Sequence, residues 1–122
     1  MKAETLFRGK SPKGHWIYGM PSYDLKYIFN DSNYDSYDQF EIIPETIGQF
    51  TGLTDKNGAK IFEGDIIAED SEDVPNRKVE WSNNYLGYFV GLGQDVWQSP
   101  LYDVILPEVI GNFHDNPELI KS

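Results

Sequence analysis

The chain has 122 residues and a net charge of −10, from 20 acidic and 10 basic residues. That is enough for one domain or two very small packed subdomains, and too acidic for unspecific attraction to a phosphate backbone to drive function, so direct nucleic-acid binding is not expected. With no cysteine, it has neither a disulfide framework nor a thiolate metal site, which fits a reducing, cytoplasmic location in a bacterial cell. The N-terminal MKAETLFRGKSPKG lacks the apolar core of a signal peptide, and no segment approaches the length of a membrane span. Aromatic residues (Trp 3, Tyr 8, Phe 7) abound while only 3 alanines occur, a balance that favours strands over helices.

Short strands are expected at residues 5–8, 15–18, 25–29, 40–43, 48–53, 60–62, 65–69, 77–81, 85–92, 102–106 and 109–113, separated by Gly, Pro, Asn, Asp or Ser. The spacing predicts a mainly β fold, a small barrel-like unit or two packed β subdomains, with α+β as the alternative. One domain over 1–122 is expected, with a soft division near Pro44 into 1–44 and 45–122. Gly9-Lys10-Ser11-Pro12-Lys13-Gly14 has phosphate-loop glycine spacing, but His15-Trp16 follows where Lys and Ser or Thr are required. Residues 30–39, NDSNYDSYDQ, read as an acidic, tyrosine-rich loop. Asp31 to Asp35 match the opening of a calcium loop, yet Ser36 stands in place of its glycine and Ile42 in place of its bidentate glutamate.

The densest signal lies in ETIGQFTGLTDKNGAKIFEGDII. Asp55-Lys56-Asn57-Gly58 suits a type I turn, with glycine at the position that needs a positive φ. A three-residue hairpin loop sets Leu53 against Ile61, whereas a two-residue Asn-Gly turn sets it against Phe62, and Asp55 favours the first. Glu63-Gly64-Asp65 then breaks the strand before Ile66-Ile67-Ala68, so Gly64 marks a bend or a close backbone approach. Residues 70–76 read as a second acidic loop. Near the C-terminus, Asn116-Pro117-Glu118 predicts one helical turn, with Asn116 as cap.

Chemistry is sparse. Glu63, Asp65, Glu69 and Asp70 are carboxylates that could converge on a divalent cation or a proton-transfer site, although acids flanking turns usually bind backbone amides or face water. His15 and His114 have no sequence partner and read as structural. Trp16, Tyr18, Trp81, Tyr85, Tyr88, Phe89 and Trp97 suit a core or an interface better than a base-stacking platform, which needs more cations than Arg77 and Lys78 supply. Tyr23, Tyr27, Tyr34 and Tyr37 beside Asp24, Asp31, Asp35 and Asp38 suggest a protein-facing surface. Lys2, Arg8, Lys10 and Lys13 make one end basic, whereas residues 14–55 hold seven acids against Lys26 alone. The asymmetry suits either two solvated faces or head-to-tail contact in a homo-oligomer.

Two separated motifs resemble one family. Pro44-Glu45-Thr46, Gly48-Gln49-Phe50-Thr51-Gly52-Leu53, Asp55, Asn57-Gly58 and Glu63-Gly64-Asp65-Ile66 form the first. Val109-Ile110-Gly111-Asn112 and Asn116-Pro117-Glu118-Leu119 form the second. In this order they resemble the YopX family, small proteins of phages and prophages of Gram-positive bacteria whose activity is uncharacterised. Phe7-Arg8 and Trp16-Ile17-Tyr18-Gly19 are also similar, while Gly9-Lys10 replaces the Trp-Asp that often follows the early arginine. The resemblance implies a scaffold role for these positions and supplies no catalytic residue or cofactor. The resulting expectation is a non-enzymatic accessory protein acting through contacts with itself or with a host or phage protein. An acidic nucleic-acid mimic that inhibits a host DNA-binding protein and a metal-dependent nucleic-acid-processing enzyme are the alternatives. Duplex DNA should bind more weakly than about 10⁻⁴ M at physiological salt, and a tight, salt-sensitive isotherm in a fluorescence titration would overturn this.

Overall fold

The structure, a computed structural model, describes residues 6–30, 38–93 and 97–120, so the calcium-loop-like stretch falls outside the described residues. The chain divides into two compact units, 1–50 and 51–122. The strands are β1 (Phe7–Lys10), β2 (Trp16–Pro21), β3 (Tyr27–Asn30), β4 (Asp38–Glu41), β5 (Ile43–Thr54), β6 (Lys60–Phe62), β7 (Asp65–Ala68), β8 (Arg77–Ser82), β9 (Gly87–Gly91), β10 (Ser99–Pro100) and β11 (Glu108–Asn112). They form two antiparallel sheets, ordered β4-β3-β2-β1-β5-β6 and β10-β9-β8-β7-β11. Among the described residues no helix is long and apolar enough to cross a membrane.

In the first unit, β1 pairs with β2 from Phe7↔Gly19 to Lys10↔Trp16 and with β5 through Phe7↔Gln49 and Arg8↔Gly48. The β1–β5 register then jumps to Lys10↔Ile43, and the extra β5 residues include Pro44, whose missing N–H is tolerated at such an irregularity. Thr46 closes it: its Oγ1 accepts the Lys10 N–H at 2.7 Å and donates to the Ile43 carbonyl at 2.6 Å. Ile28 and Ile42 are buried here, and both reach within about 3 Å of where a Cβ on Gly9 would stand. Arg8 is buried with its guanidinium carbon 4.6 Å from the Trp16 ring centre, a cation–π contact.

Neither sheet closes into a barrel, which corrects the barrel-like expectation. The edges of the first sheet are β4 and β6, and they do not pair with each other. In the second sheet the edges are β11 and the two-residue β10, whose Pro100 lacks an amide to donate.

The second unit has its core in Ile61, Ile67, Val79, Val90, Leu101 and Val104, with Tyr88 and Val109 packed against it. Strand alternation explains Val79 and Val90, which lie opposite each other on one face of β8–β9. Residues 102–106, expected as a strand, instead continue from a 3₁₀ turn at Leu101–Asp103. Leu101 and Val104 are three residues apart, which puts both on one side of such a turn and into the core. The expected terminal helix is a 3₁₀ turn, Pro117–Leu119, and Asn116 precedes it without capping it through its side chain.

The turn at Asp55–Gly58 matches its sequence reading, but the hairpin joins only β5 and β6, since β7 passes into the other sheet between β8 and β11. The Gly58 N–H donates to the Asp55 carbonyl at 3.0 Å and the Asp55 N–H to the Ala59 carbonyl at 2.8 Å, the pattern of a three-residue loop. Gly58 has φ 86° and open space around its missing Cβ, so only backbone conformation penalises a side chain there. Replacing Gly58 by Val should therefore cost about 1 kcal/mol or more in urea unfolding, with the fold retained.

Candidate functional site

Asp55 joins the two motifs. Its Oδ1 accepts the N–H groups of Asn57 (2.9 Å) and Ala59 (2.8 Å), and its Oδ2 accepts that of Val109 at 3.0 Å. Burial pushes the carboxyl pKa up, but the Val109, Ala59 and Asn57 donors and nearby Lys56 outweigh it and hold the group below its ordinary value. The neighbouring Lys56 N–H donates to the Pro107 carbonyl at 2.8 Å, and its ammonium lies 3.6 Å from Glu108. The hairpin tip is thus fastened to the entry of β11.

Gly64, Asp65, Gly111, Asn112 and Asn116 lie around the same junction, and the earlier motif residues lie along β5. Gly64 turns the chain with φ 93°, and its carbonyl accepts the Phe113 N–H at 2.8 Å. Asp65, 1 % exposed, accepts the Phe62 N–H through Oδ2 at 2.7 Å. β11 pairs with β7 from Glu108↔Ala68 to Asn112↔Asp65, with an irregularity between Val109 and Gly111. A Cβ on Gly111 would stand 2.6 Å from Asn116 Oδ1 and 2.9 Å from Leu119. Asn116 Oδ1 is there because it accepts the Asn112 N–H at 3.3 Å, while Asn112 Oδ1 accepts from His114 and Asp115. Pro117 begins the terminal turn. Gly48 and Gln49 lie opposite Arg8 and Phe7, and Gly52, φ 89°, lies near the outgoing end of β5.

The four acids considered as a cation or proton-transfer site take separate partners. Asp65 serves its turn. Glu63 accepts the Trp81 N–H; burial raises its pKa, partly offset by that bond and by Lys78. Glu69 Oε1 accepts the Ile105 N–H at 2.9 Å, and its Oε2 lies 3.6 Å from Arg77. Asp70 is exposed, and its N–H donates to the Ile105 carbonyl at 3.2 Å. Among the described residues no three His, Asp or Glu side chains gather as a metal-binding group. His15 and His114 fall in different units, both exposed. The aromatics mostly pair with one another: Trp81 meets Tyr88 edge-on at 5.1 Å, and Tyr85 lies 5.3 Å from Phe89. Burial, with the Glu63 charge, raises the Tyr88 pKa.

The feature that sequence reading missed is Arg77. Period-two alternation puts it on the same face as buried Val79, and such an inward cation needs acceptors. It finds them in the 97–107 loop: its Nη1 donates to the Trp97 carbonyl at 2.8 Å and to Ser99 Oγ at 2.9 Å, while Glu69 balances its charge. Burial lowers the Arg77 pKa and Glu69 opposes the shift. Arg77, Glu69, buried Leu101 and Val104, and the Lys56 bond to Pro107 therefore fix this loop along its length. Between the fixed points Trp97 (55 %), Tyr102 (76 %), Ile105 (65 %) and Leu106 (55 %) are exposed. Trp97 and Leu106 also have positive φ, 55° and 45°, a conformation in which bulky residues are strained.

Comparison with known proteins agrees with these motifs. A model of the YopX family, described as "YopX protein", matches residues 6–121. The crystal structure of protein EF1440 from Enterococcus faecalis is similar at TM-score 0.63 and 25 % identity, covering 98 % of this chain and 100 % of that one. No curated protein matches.

Replacing Asp55 by Asn should cost on the order of 2 kcal/mol, because an amide NH₂ would confront a backbone N–H where a carboxylate oxygen accepts. Because the folded-state pKa lies below the unfolded value, the stabilisation is present above about pH 4 and is lost as pH falls through the folded-state pKa. The difference in thermal midpoint between the natural protein and Asp55→Asn should accordingly shrink on acidification, as followed by circular dichroism.

Proposed function

The chain belongs to the YopX family, and on that footing we propose that it is a phage- or prophage-encoded accessory protein that works in the cytoplasm through protein–protein contacts, without catalysis. The observation that carries this reading is the 97–107 loop. Isolated exposed apolar residues are ordinary, but here Trp97, Tyr102, Ile105 and Leu106 share one short loop and two of them have strained backbone. A loop tied down by a buried Arg–Glu pair loses little entropy when it meets a partner, and aromatic side chains on rigid scaffolds are favoured interface anchors. The dispersal of Glu63, Asp65, Glu69 and Asp70 into framework bonds leaves these acids with scaffold work, which supports the same reading.

A photo-reactive amino acid placed at Tyr102 should give a discrete cross-linked adduct in host cells. The adduct should vanish when Trp97→Ala and Ile105→Ser are added, and should not form when the probe stands at exposed Lys60. Equal labelling at the two probe positions, or none at Tyr102, would overturn the proposal.

A further inference from the structure

The charge around the exposed 97–107 loop is one-sided. The Ile105 N–H donates to Glu69 Oε1 at 2.9 Å and the Ile105 carbonyl accepts the Asp70 N–H at 3.2 Å, so residues 69 and 70, just past β7, run beside the loop. The chain then turns tightly, the Ser71 N–H donating to the Glu69 carbonyl at 2.7 Å and the Val74 N–H to the Ser71 carbonyl at 3.4 Å. Glu72 and Asp73, both exposed, therefore stay within one turn of Asp70. Asp103, also exposed, stands on the loop itself at the end of its 3₁₀ turn.

No lysine or arginine occurs at 68–76 or 97–107. Arg77, which reaches the loop from β8, is 4 % exposed, and Glu69 balances its charge. At the exit of the loop Lys56 and Glu108 balance each other in the same way. Among the described residues the carboxylates of Asp70, Glu72, Asp73 and Asp103 meet no cation and accept no hydrogen bond. They differ in this from Asp55, Glu63, Asp65 and Glu69, whose carboxylates all serve backbone amides of the framework. The exposed side chains of Trp97, Tyr102, Ile105 and Leu106 thus share their surroundings with acids that have no scaffold work.

We infer that the partner of the 97–107 loop is a basic protein surface, one that sets lysine or arginine side chains around an apolar pocket. This rests on the protein-contact reading and names the chemistry of the partner. Nucleic acid or an anionic lipid surface would be repelled by the four carboxylates. A second copy would bring the same four charges to the contact, together with its own net charge of −10. In such an interface the acids chiefly select the partner and speed its approach, while Trp97, Tyr102 and Ile105 supply the area that is buried.

The test uses the full chain and a labelled synthetic peptide alternating leucine with lysine, followed by fluorescence anisotropy. Binding should be saturable, weaken with salt, and weaken about tenfold both in Trp97→Ala/Ile105→Ser and in Asp70→Lys/Asp103→Lys, which changes exposed side chains and keeps their backbone bonds. Glu41→Lys/Glu45→Lys, at exposed positions in the first unit, changes the net charge equally and should leave binding within about twofold of the natural chain. No binding by the natural chain, equal losses in the two charge-reversed chains, or equal binding of a peptide with serine in place of leucine would overturn the inference. So would self-association in sedimentation velocity that Trp97→Ala/Ile105→Ser abolishes, since it would give the loop to a second copy. In host cells the Tyr102 adduct should disappear in Asp70→Lys/Asp103→Lys. An adduct that survives this change leaves the protein-contact reading standing and sinks only the basic partner, whereas no adduct at Tyr102 in the natural chain sinks both.

Discussion

The second unit depends on one buried carboxylate. Asp55 gathers three backbone amides from two places far apart in sequence, two in its own loop and one at the start of β11. Charge-assisted bonds of this kind are about twice as strong as neutral ones, and no neutral side chain of similar shape offers two acceptor oxygens. Around it, the Lys56–Pro107 bond, the β7–β11 ladder and the Gly64–Phe113 bond close a single junction. The later part of the first motif, from Asp55 to Asp65, and the second motif meet at that junction.

Local chemistry was legible and long-range chemistry was not. The Asp55–Gly58 turn, the Gly64 break and most strands follow from turn residues and alternation, signals contained within a few positions. Asp55 could be read as a turn former, but nothing near it announces Val109. Asn116 looked like a helix cap because Pro117 follows it; its side chain instead reaches back to the Asn112 N–H, a competitor four residues away. The 102–106 stretch has strand composition, but its buried pair is spaced by three, and core burial overrode propensity. The mainly β reading held while closure into a barrel did not, since strand number says nothing of which edges pair.

The acids of the 63–70 region illustrate how sequence proximity misleads. The Glu63–Asp65 turn and the length of β7 set these acids apart, so Glu63 goes to Trp81, Asp65 to Phe62 and Glu69 to Arg77 and Ile105. The counterpart is Arg77, which in sequence counted only as one cation beside Lys78 and is central once folded. A buried pair of this sort contributes little net stability and much definition: removing one partner strands the other charge, so the geometry of the loop it holds is strongly specified.

The separation of 54 positions between Asp55 and Val109 has a consequence for biogenesis. The β5–β6 hairpin can close as soon as it leaves the ribosome, because its turn bonds are local. At a translation rate of about 5–20 residues per second, roughly 3–10 s pass before Val109 is even polymerised. Throughout that interval Oδ2 of Asp55 lacks its Val109 donor, and β7 lacks the strand that will pair with its edge. The second unit therefore stays only partly assembled until β11 arrives, and becomes cooperative only then.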